Sequence, residues 1–380
     1  MDYHHAYSQP AHPRATSSFL AFKDAEAPPR PDGIPFPSAY DAFMNPITPF
    51  LFGVIYFAVA KTLSHFQNGK NRIKGRGWDV AVVAHNVFLA AYSAWTFVGT
   101  APQIFGAFWR GWVSDGVAGL THAFCDSQLS VWGSNTFPRY TYIFYLSKYY
   151  EIVDTAILLL KGKKVGMLQS YHHMGAVWTM FAGYRSQAMP IWLFCVFNSF
   201  IHTVMYCYYA VTSMKLPFPQ FIKRNITRMQ ITQFLIGGSL AASYLFIKLP
   251  DLPSFATSVD QAAAQFHTAV DEAAASLHLA AGEAAASFSS AAGEAKASFQ
   301  SAADAAAAQL QGAASSLESS MGTLRREGAQ CLVNAAQRSA VWLNVAYLIP
   351  LTYLFAAFFV KTYRRGAAAK ARAAQEKKAN

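Results

Sequence analysis

The sequence predicts an all-α integral membrane protein with about seven transmembrane helices. Hydrophobic residues make up 53% of the 380-residue chain and charged residues only 13%, a composition unlike that of soluble domains. A helix needs roughly 20 mostly apolar residues to cross about 30 Å of hydrocarbon. Seven stretches meet this requirement and are numbered as spans 1 to 7: 43–61, 79–100, 138–160, 167–184, 188–211, 230–249 and 339–361.

Basic residues predict the orientation of the spans. Lysine and arginine clusters follow spans 1, 3, 5 and 7, whereas the alternate connections contain few basic residues. Positively charged loops are retained in the cytosol, so this pattern predicts a lumenal N-terminus and a cytosolic C-terminus. The same clusters account for the net charge of +11 and do not interleave with aromatic residues along one face. We therefore expect no nucleic-acid binding.

The segments around the predicted membrane core, residues 41–250, differ from it in composition. Residues 1–40 are polar and proline-rich, which predicts a disordered N-terminus without a cleavable signal peptide. Residues 339–363 form the last span, and residues 364–380 form a basic cytosolic tail. The tail ends in Lys-Lys-Ala-Asn, a match to the dilysine signal of endoplasmic-reticulum membrane proteins. We therefore expect a multi-pass protein of the endoplasmic reticulum.

A repeat occupies residues 251–338, which are rich in alanine and serine. An apolar residue recurs there every 11 positions, a period of about 3.67 residues per helical turn. This predicts a long helix with one narrow apolar stripe between spans 6 and 7. The stripe suits a membrane surface or a partner helix, and a tolerated low-complexity insertion without function is the alternative.

Tryptophan and cysteine positions give two further expectations. The connection between spans 2 and 3 contains Trp109, Trp112 and Trp132, which is typical of an interfacial loop. The four cysteines have neither Cys-x-x-Cys nor zinc-finger spacing. We expect Cys195 and Cys207, which lie in span 5, to be buried and unreactive.

Span 3 contains charged side chains at regular intervals. Lys148, Glu151 and Asp154 are spaced three residues apart, with Thr155 directly after them, so they share one helical face on which opposite charges can pair. A charge at the centre of a membrane helix costs on the order of 2.5–3.5 kcal/mol. The cluster therefore indicates either a functional site or a buried ion pair that holds helices together.

Span 4 begins with a glutamine followed by two adjacent histidines, Gln169, His172 and His173. Neighbouring residues lie about 100° apart around a helix. Both imidazoles therefore cannot face one point equally. We expect one histidine to do chemistry while the other orients a group or lines the site.

Spans 5 and 6 each carry a polar helical face. In span 5 the face has an amide, an imidazole, a thioether and phenols, which suits a cavity better than lipid. Its members are Asn198, His202, Met205, Tyr206 and Tyr209. Three further residues line up in the same manner at the entrance to span 6, namely Thr227, Gln230 and Gln233. Spans 3 to 6 thus each carry polar residues, and we expect these residues to face one common site.

These motifs resemble those of the ELO family of very-long-chain fatty acid elongases, over nearly all of residues 40–250 and the final span. The family's Lys-x-x-Glu-x-x-Asp-Thr, Asn-x-x-x-His-x-x-Met-Tyr-x-Tyr-Tyr and Thr-x-x-Gln-x-x-Gln boxes all match, in family order. Its His-x-x-His-His box appears here with Gln169 in place of the first histidine. That substitution is similar to the microalgal Δ9-elongases of C18 polyunsaturated fatty acids.

The resemblance implies a fold and a reaction. Family members enclose a long apolar tunnel in a barrel of spans 2–7 and condense an acyl-CoA with malonyl-CoA, releasing CoA and carbon dioxide. The chain is therefore expected to be a very-long-chain 3-oxoacyl-CoA synthase that extends linoleoyl- or α-linolenoyl-CoA by two carbons. No metal ion or other cofactor is implied. The expected partners are membrane lipid, the reductases and the dehydratase of the elongation cycle, and a second copy of the chain in a homodimer.

The resemblance also implies residue roles. His172 is the expected acyl acceptor, because neutral histidine can attack a thioester and hold the acyl group. His202 activates or orients the malonyl donor. Lys148 neutralises a carboxylate or a developing enolate.

The remaining motif residues are expected to support these three. Glu151 and Asp154 hold His173, Lys148 or both in place. The expected substrate-binding residues are Gln169, Asn198, Met205, Tyr206, Tyr209, Thr227, Gln230 and Gln233.

Two other functions compete with an elongase. A metal-dependent lipid-modifying membrane enzyme is one, because His172, His173, His202 and Glu151 carry groups that bind zinc. A seven-helix transporter or receptor is the other. Transport sites lie between two repeated halves, and the spans contain no such internal repeat.

Overall fold

A computed structural model describes residues 20–69, 72–250 and 330–365, which are mostly helical and contain no strand. The helices are α1 (Tyr40–Met44), α2 (Ile47–Phe66), α3 (Arg76–Cys125), α4 (Thr136–Tyr150), α5 (Val153–Leu160), α6 (Met167–Arg185), α7 (Ser199–Ser213), α8 (Gln220–Ser243) and α9 (Ala335–Phe359). Short 3₁₀ turns lie at Ala21–Lys23, Pro37–Ala39 and Met189–Ile191, and π-helical turns at Phe194–Asn198 and Val360–Arg365.

The chain divides into two compact units. The larger unit comprises residues 1–109, 123–247 and 330–380, and it contains every predicted site residue. The smaller unit comprises residues 110–122 and 248–329. Within the smaller unit the helical geometry of α3 is interrupted at Asp115 and Gly116. Gly116 has a φ of 58°, a conformation that glycine adopts without a steric penalty.

Among the described residues, four helical segments are long and apolar enough to cross a membrane by length and composition, and they correspond to predicted spans 1, 2, 5 and 7. They are Ile47–Phe66, Arg76–Cys125, Met189–Ser213 and Ala335–Tyr363. The other three predicted spans coincide with α4 and α5, with α6, and with α8, which are the helices that carry most of the polar motifs. Span 3 is not one helix, because regular helix stops at Tyr150 and resumes at Val153.

The connection predicted as an interfacial loop is largely helical instead, since α3 continues to Cys125. Its small and apolar residues do not stop a helix. Trp132 is also not an interfacial anchor. Its indole is buried against the rings of Phe137 and Tyr184, at centroid distances of 5.2 and 6.0 Å.

Part of the N-terminal segment that we expected to be disordered packs on the helices. The Phe22 amide donates a hydrogen bond to Ser339 Oγ at 2.9 Å, and the Phe22 ring meets Phe181 edge-on. Tyr40 is buried and its hydroxyl donates to the Pro28 carbonyl. Burial of these aromatic rings gives an otherwise polar segment a reason to fold.

Several predictions fall outside the described residues. These are disorder at residues 1–19, the long striped helix at 251–329, and the basic tail with its dilysine signal at 366–380. The last helix begins at Ala335, a few residues before the predicted start of span 7.

A disulfide joins Cys125, the last residue of α3, to Cys331, four residues before α9. No local spacing signals this bond, because the two cysteines are 206 residues apart. Disulfides persist in oxidising compartments, and the predicted topology places both connections in the lumen. Cys195 is buried, as expected, whereas Cys207 is exposed, which corrects the prediction for that thiol. Cys207 follows the buried Tyr206, and neighbouring side chains point about 100° apart around a helix.

The disulfide predicts a labelling pattern. In protein denatured without reductant, a maleimide reagent should modify only Cys195 and Cys207. After reduction of the disulfide, it should modify all four cysteines. Cys125→Ser should lower the free energy of unfolding by about 2–4 kcal/mol. Cys207→Ser, which removes a free exposed thiol, is the matched control and should change it little. Modification of four cysteines before reduction would contradict the bond.

Candidate active site

A buried ion pair lies at the centre of the predicted site. Lys148 Nζ donates to Glu151 Oε1 at 2.6 Å and to Asn198 Oδ1 at 3.3 Å, and the two charged side chains are each only 4% exposed. The ammonium group also lies 3.9 Å from the centroid of the Phe144 ring. Two charges removed from water together are tolerated because each is the counter-ion of the other. The pair therefore connects α4 to the π-helical turn that precedes α7.

The histidines gather around the same carboxylate. His202 Nδ1 lies 4.0 Å from Glu151 Oε1. Glu151 also interacts electrostatically with His173, and His172 interacts with His202. Three helices, α4, α6 and α7, thus bring the predicted catalytic residues Lys148, Glu151, His172, His173 and His202 into one cluster.

Asp154 belongs to a second network that sequence reasoning missed. Its Oδ1 accepts a hydrogen bond from His85 Nε2 at 2.9 Å, and its Oδ2 accepts one from the Tyr206 hydroxyl at 2.6 Å. Asp154 therefore does not hydrogen-bond to Lys148 or His173, the partners we expected. Asp154 lies six residues after Lys148, which places it about 120° away around a helix, and there it meets His85 of α3 and Tyr206 of α7 instead.

The sequence does contain a signal for His85. It is an ionisable residue inside the apolar span 2, and such residues mark functional sites by default. Its Nε2 faces the Asp154 carboxylate, and its Nδ1 lies 3.2 Å from the Tyr150 hydroxyl. The side chain is 6% exposed, so both ring nitrogens are satisfied in a buried setting.

Gln169, the glutamine of the histidine box, contacts His173 directly. Its Nε2 lies 2.8 Å from His173 Nε2 and 3.4 Å from Thr155 Oγ1, and Thr155 in turn contacts the Tyr56 hydroxyl at 2.7 Å. An amide nitrogen only donates, so the lone pair of His173 Nε2 is occupied. The Nδ1 atom of His173 is buried with no hydrogen-bond partner among the described residues. His173 is thus held in place by a neighbouring side chain.

His172 has the opposite arrangement. Its Nδ1 lies 3.2 Å from the hydroxyl of Tyr347, a residue of α9. Its Nε2 has no hydrogen-bond partner in the part of the chain that the structure describes, and its side chain is half-buried. The two adjacent histidines therefore have different environments: among the described residues, the ring nitrogen without a partner is Nε2 in His172 and the buried Nδ1 in His173.

Most of the motif residues predicted on span 5 are buried side chains of α7 or of the turn before it. Asn198, His202, Met205 and Tyr206 are buried, whereas Tyr209, on the same predicted polar face, is 41% exposed. The shared face ends because Tyr209 lies in the last two turns of α7, where its ring packs on Tyr206.

Helix α8 contributes its own motif to this region. Thr227 and Gln233 are buried, and Gln230 Nε2 contacts Met205 Sδ at 3.3 Å. A cavity of about 560 Å³ lies between the segment 197–201 and α8, with Gln233 among its lining residues. The motif of Thr227, Gln230 and Gln233 therefore lies next to both the polar residues of α7 and the cavity.

The described residues contain no set of side chains that would support the alternative of a metal-dependent enzyme. Among residues 20–69, 72–250 and 330–365, no three His, Cys, Asp or Glu side chains converge in an arrangement that could hold a metal ion. The histidine nitrogens closest to a carboxylate belong to His85 and His202, which pair with different acids. Independence from metal remains a prediction.

The buried pair predicts an asymmetric effect of charge removal. Glu151→Gln should leave Lys148 buried without a counter-ion and lower the free energy of unfolding in detergent by on the order of 3–5 kcal/mol. The matched control is Asp79→Asn, which breaks the exposed Lys215–Asp79 pair of 2.8 Å and should change the free energy of unfolding little, because solvent screens an exposed pair. Equal losses in the two variants would argue against the buried pair.

Comparisons with known proteins identify the family of this chain. Residues 42–371 match the family model described as ELO, the GNS1/SUR4 family. The fatty acid elongase sre1 of Dictyostelium discoideum is 36% identical over 203 residues, covering 53% of this chain and 70% of that protein. Fatty acid elongase A of the same organism is 32% identical over 213 residues, covering 53% and 71%.

A more distant relative is the very long chain fatty acid elongase 6 of Drosophila melanogaster, 30% identical over 194 residues that cover 50% of this chain and 57% of that protein. No solved structure matches the chain significantly. The family match extends over most of the chain, from just before the first apolar helix to beyond the last. The chain therefore belongs to the ELO, or GNS1/SUR4, family of membrane proteins and has a condensing role in fatty acid elongation.

Proposed function

We propose that the protein is a very-long-chain 3-oxoacyl-CoA synthase that uses His172 as the acyl carrier. The observation that carries this proposal is the free Nε2 atom of His172, beside a His173 whose Nε2 is occupied by Gln169. A cysteine nucleophile is the usual alternative in condensing enzymes. Neither free thiol has a hydrogen bond to a base among the described residues: Cys195 Sγ donates to Thr141 Oγ1 at 3.7 Å, and Cys207 is exposed on α7.

The first half-reaction is acyl transfer. The lone pair of His172 Nε2 attacks the thioester carbonyl, and a C–N bond forms as the C–S bond breaks. The products are an acyl-imidazolium on the enzyme and a CoA thiolate, which takes up a proton on release. Only a neutral imidazole can begin this step.

The second half-reaction forms the carbon–carbon bond. Malonyl-CoA loses carbon dioxide, and the electron pair of the broken bond becomes an enolate that attacks the acyl carbonyl. The C–N bond then breaks, which returns His172 to its neutral form and releases 3-oxoacyl-CoA. We assign the orientation of malonyl-CoA to His202, held near Glu151, and the stabilisation of the negative charge to Lys148.

Seven membrane spans with a lumenal N-terminus and a cytosolic C-terminus are part of the proposal. The disulfide supports an odd total by a parity argument, because Cys125 and Cys331 must lie on one side of the membrane. With only the four most apolar helices as spans, a single crossing, Met189–Ser213, would separate the two cysteines. Crossing by all three remaining predicted spans gives four crossings between them, an even number that the bond permits.

We further propose an endoplasmic-reticulum location and a barrel of spans 2–7 around the acyl tunnel. The lumen of that compartment is oxidising enough for the disulfide. Basic side chains near the cytosolic ends of the spans, Lys163, Lys164, Lys223 and Arg224, suit the phosphates of CoA. The reductases and the dehydratase of the elongation cycle, and a second copy of the chain, are the proposed protein partners.

Polyunsaturated C18 acyl-CoA is the proposed substrate. The support is the resemblance of the Gln-x-x-His-His text to Δ9-elongases, together with the contact that gives Gln169 a defined place beside His173. The substrate is tested by supplying purified protein with labelled malonyl-CoA and a panel of saturated and unsaturated acyl-CoAs. Faster extension of saturated than of C18 polyunsaturated acyl-CoA would reject this substrate class while leaving the condensation chemistry intact.

Removal of the proposed nucleophile should abolish condensation. We expect His172→Ala to reduce malonyl-CoA-dependent product formation by at least about 10³-fold, because catalysis by groups that act as a unit is lost with any one of them. His65→Ala removes an exposed histidine at the end of α2 and should leave the rate unchanged. Undiminished condensation by His172→Ala would reject the nucleophile assignment.

Restoration of the family histidine separates chemistry from selectivity. Gln169→His should keep condensation within about tenfold, because an imidazole N–H can also donate to His173 Nε2. We expect the ranking of acyl-CoAs in the panel to change. Complete loss of activity would mean that the amide is essential to the chemistry.

A further inference from the structure

Tyr347 holds a position in the site that no sequence motif marks. It lies on α9, 175 residues from His172 in the chain, and its side chain is buried. Its ring stacks on Tyr171 at a centroid distance of 5.3 Å and an interplanar angle of 24°. Gly175 of α6 makes this approach feasible, since a Cβ atom at that position would overlap the Tyr347 ring.

The Tyr347 hydroxyl contacts His172 twice. Its oxygen lies 2.9 Å from the backbone carbonyl oxygen of His172 and 3.2 Å from the Nδ1 atom of the same residue. A phenol has one hydrogen to donate, and a carbonyl oxygen can only accept. The two contacts therefore compete for one hydrogen.

Only one arrangement makes both contacts attractive. If the hydroxyl donated to Nδ1, its oxygen would face the carbonyl oxygen at 2.9 Å with no hydrogen between them. If it donates to the carbonyl, its oxygen is free to accept a hydrogen bond from Nδ1–H at 3.2 Å. The second arrangement satisfies all three polar groups, which burial requires.

We propose that Tyr347 is a positioning residue that fixes the tautomer of His172, so that Nδ1 carries the proton and Nε2 presents the lone pair to the acyl-CoA. A neutral imidazole has a single N–H, so a proton held on Nδ1 leaves Nε2 unprotonated. The hydroxyl also accepts a hydrogen bond that strengthens when His172 becomes an acyl-imidazolium, because charged donors make stronger hydrogen bonds. This role rests on the proposed function of His172.

The same geometry separates His172 from its neighbour. His173 Nε2 accepts from the Gln169 amide, whereas His172 Nε2 has no partner among the described residues. The fixed groups that select the nucleophile therefore come from two helices. Gln169 of α6 occupies one histidine, and Tyr347 of α9 directs the other.

A hydroxyl deletion tests this role. Tyr347→Phe keeps the ring and removes the contact to Nδ1, and Tyr171→Phe is the matched control, because it removes the hydroxyl of the stacked ring, which donates only to the Tyr347 backbone carbonyl at 3.3 Å. The assay is a single turnover with acyl-CoA and no malonyl-CoA, following CoA release and the acyl-enzyme mass. We expect Tyr347→Phe to slow acylation about 10- to 100-fold, with an unchanged Kd for acyl-CoA, and Tyr171→Phe to behave as wild type.

The tautomer itself gives a second measurement, and its deciding result comes from wild-type protein. In ¹⁵N-histidine-labelled protein, the His172 signals are identified by their loss in His172→Ala. Wild-type protein should give an unprotonated Nε2 and a protonated Nδ1, and Tyr347→Phe should give a mixture of tautomers. A protonated Nε2 in wild-type protein would overturn the proposal.

The outcomes separate this proposal from the function on which it rests. An acyl-enzyme that still forms in His172→Ala would reject His172 as the carrier. Loss of the acyl-enzyme in His172→Ala, together with wild-type acylation in Tyr347→Phe, would reject only the role of Tyr347. A weaker Kd for acyl-CoA with an unchanged acylation rate in Tyr347→Phe would also reject it, since it would indicate a contribution to substrate binding alone.

Discussion

The carboxylate of Glu151 is the group on which the polar interior depends. It accepts a 2.6 Å hydrogen bond from Lys148 and lies 4.0 Å from His202, within side chains that are almost fully buried. A charge in such surroundings is tolerated only with its partner. Helices α4 and α7 must therefore keep these groups together, and the π-helical turn before α7 brings Asn198 to the same ammonium group.

Around this pair, the chain distributes its remaining polar groups so that each carboxylate serves a different network. Glu151 serves Lys148 and His202, while Asp154 serves His85 and Tyr206. Asp154 lies three residues beyond Glu151 and reaches α3 through His85 and α7 through Tyr206.

The C-terminal helix α9 is held at the site by a disulfide and by a side-chain contact. The disulfide fixes the segment before α9 to the end of α3, and Tyr347 of α9 reaches His172 on α6. These two connections hold the last span against the core although residues 251–329 separate it from span 6 in the sequence. An insertion of that length is compatible with the site because both connections lie after it.

The sequence by itself determined the helical class, the approximate positions of the apolar helices and the residue types of the site. Periodicity was sufficient for this, since the spacing of Lys148 and Glu151, and that of Asn198 and His202, follow from the geometry of single helices. Periodicity does not predict which helices contact each other. The partner of Asp154, the burial of Trp132, the exposed Tyr209 and the Cys125–Cys331 bond each depend on which helices pack together and where a helix is interrupted. Tyr347 is the clearest case, because its hydroxyl meets His172 across 175 residues, and no local pattern encodes a contact at that separation.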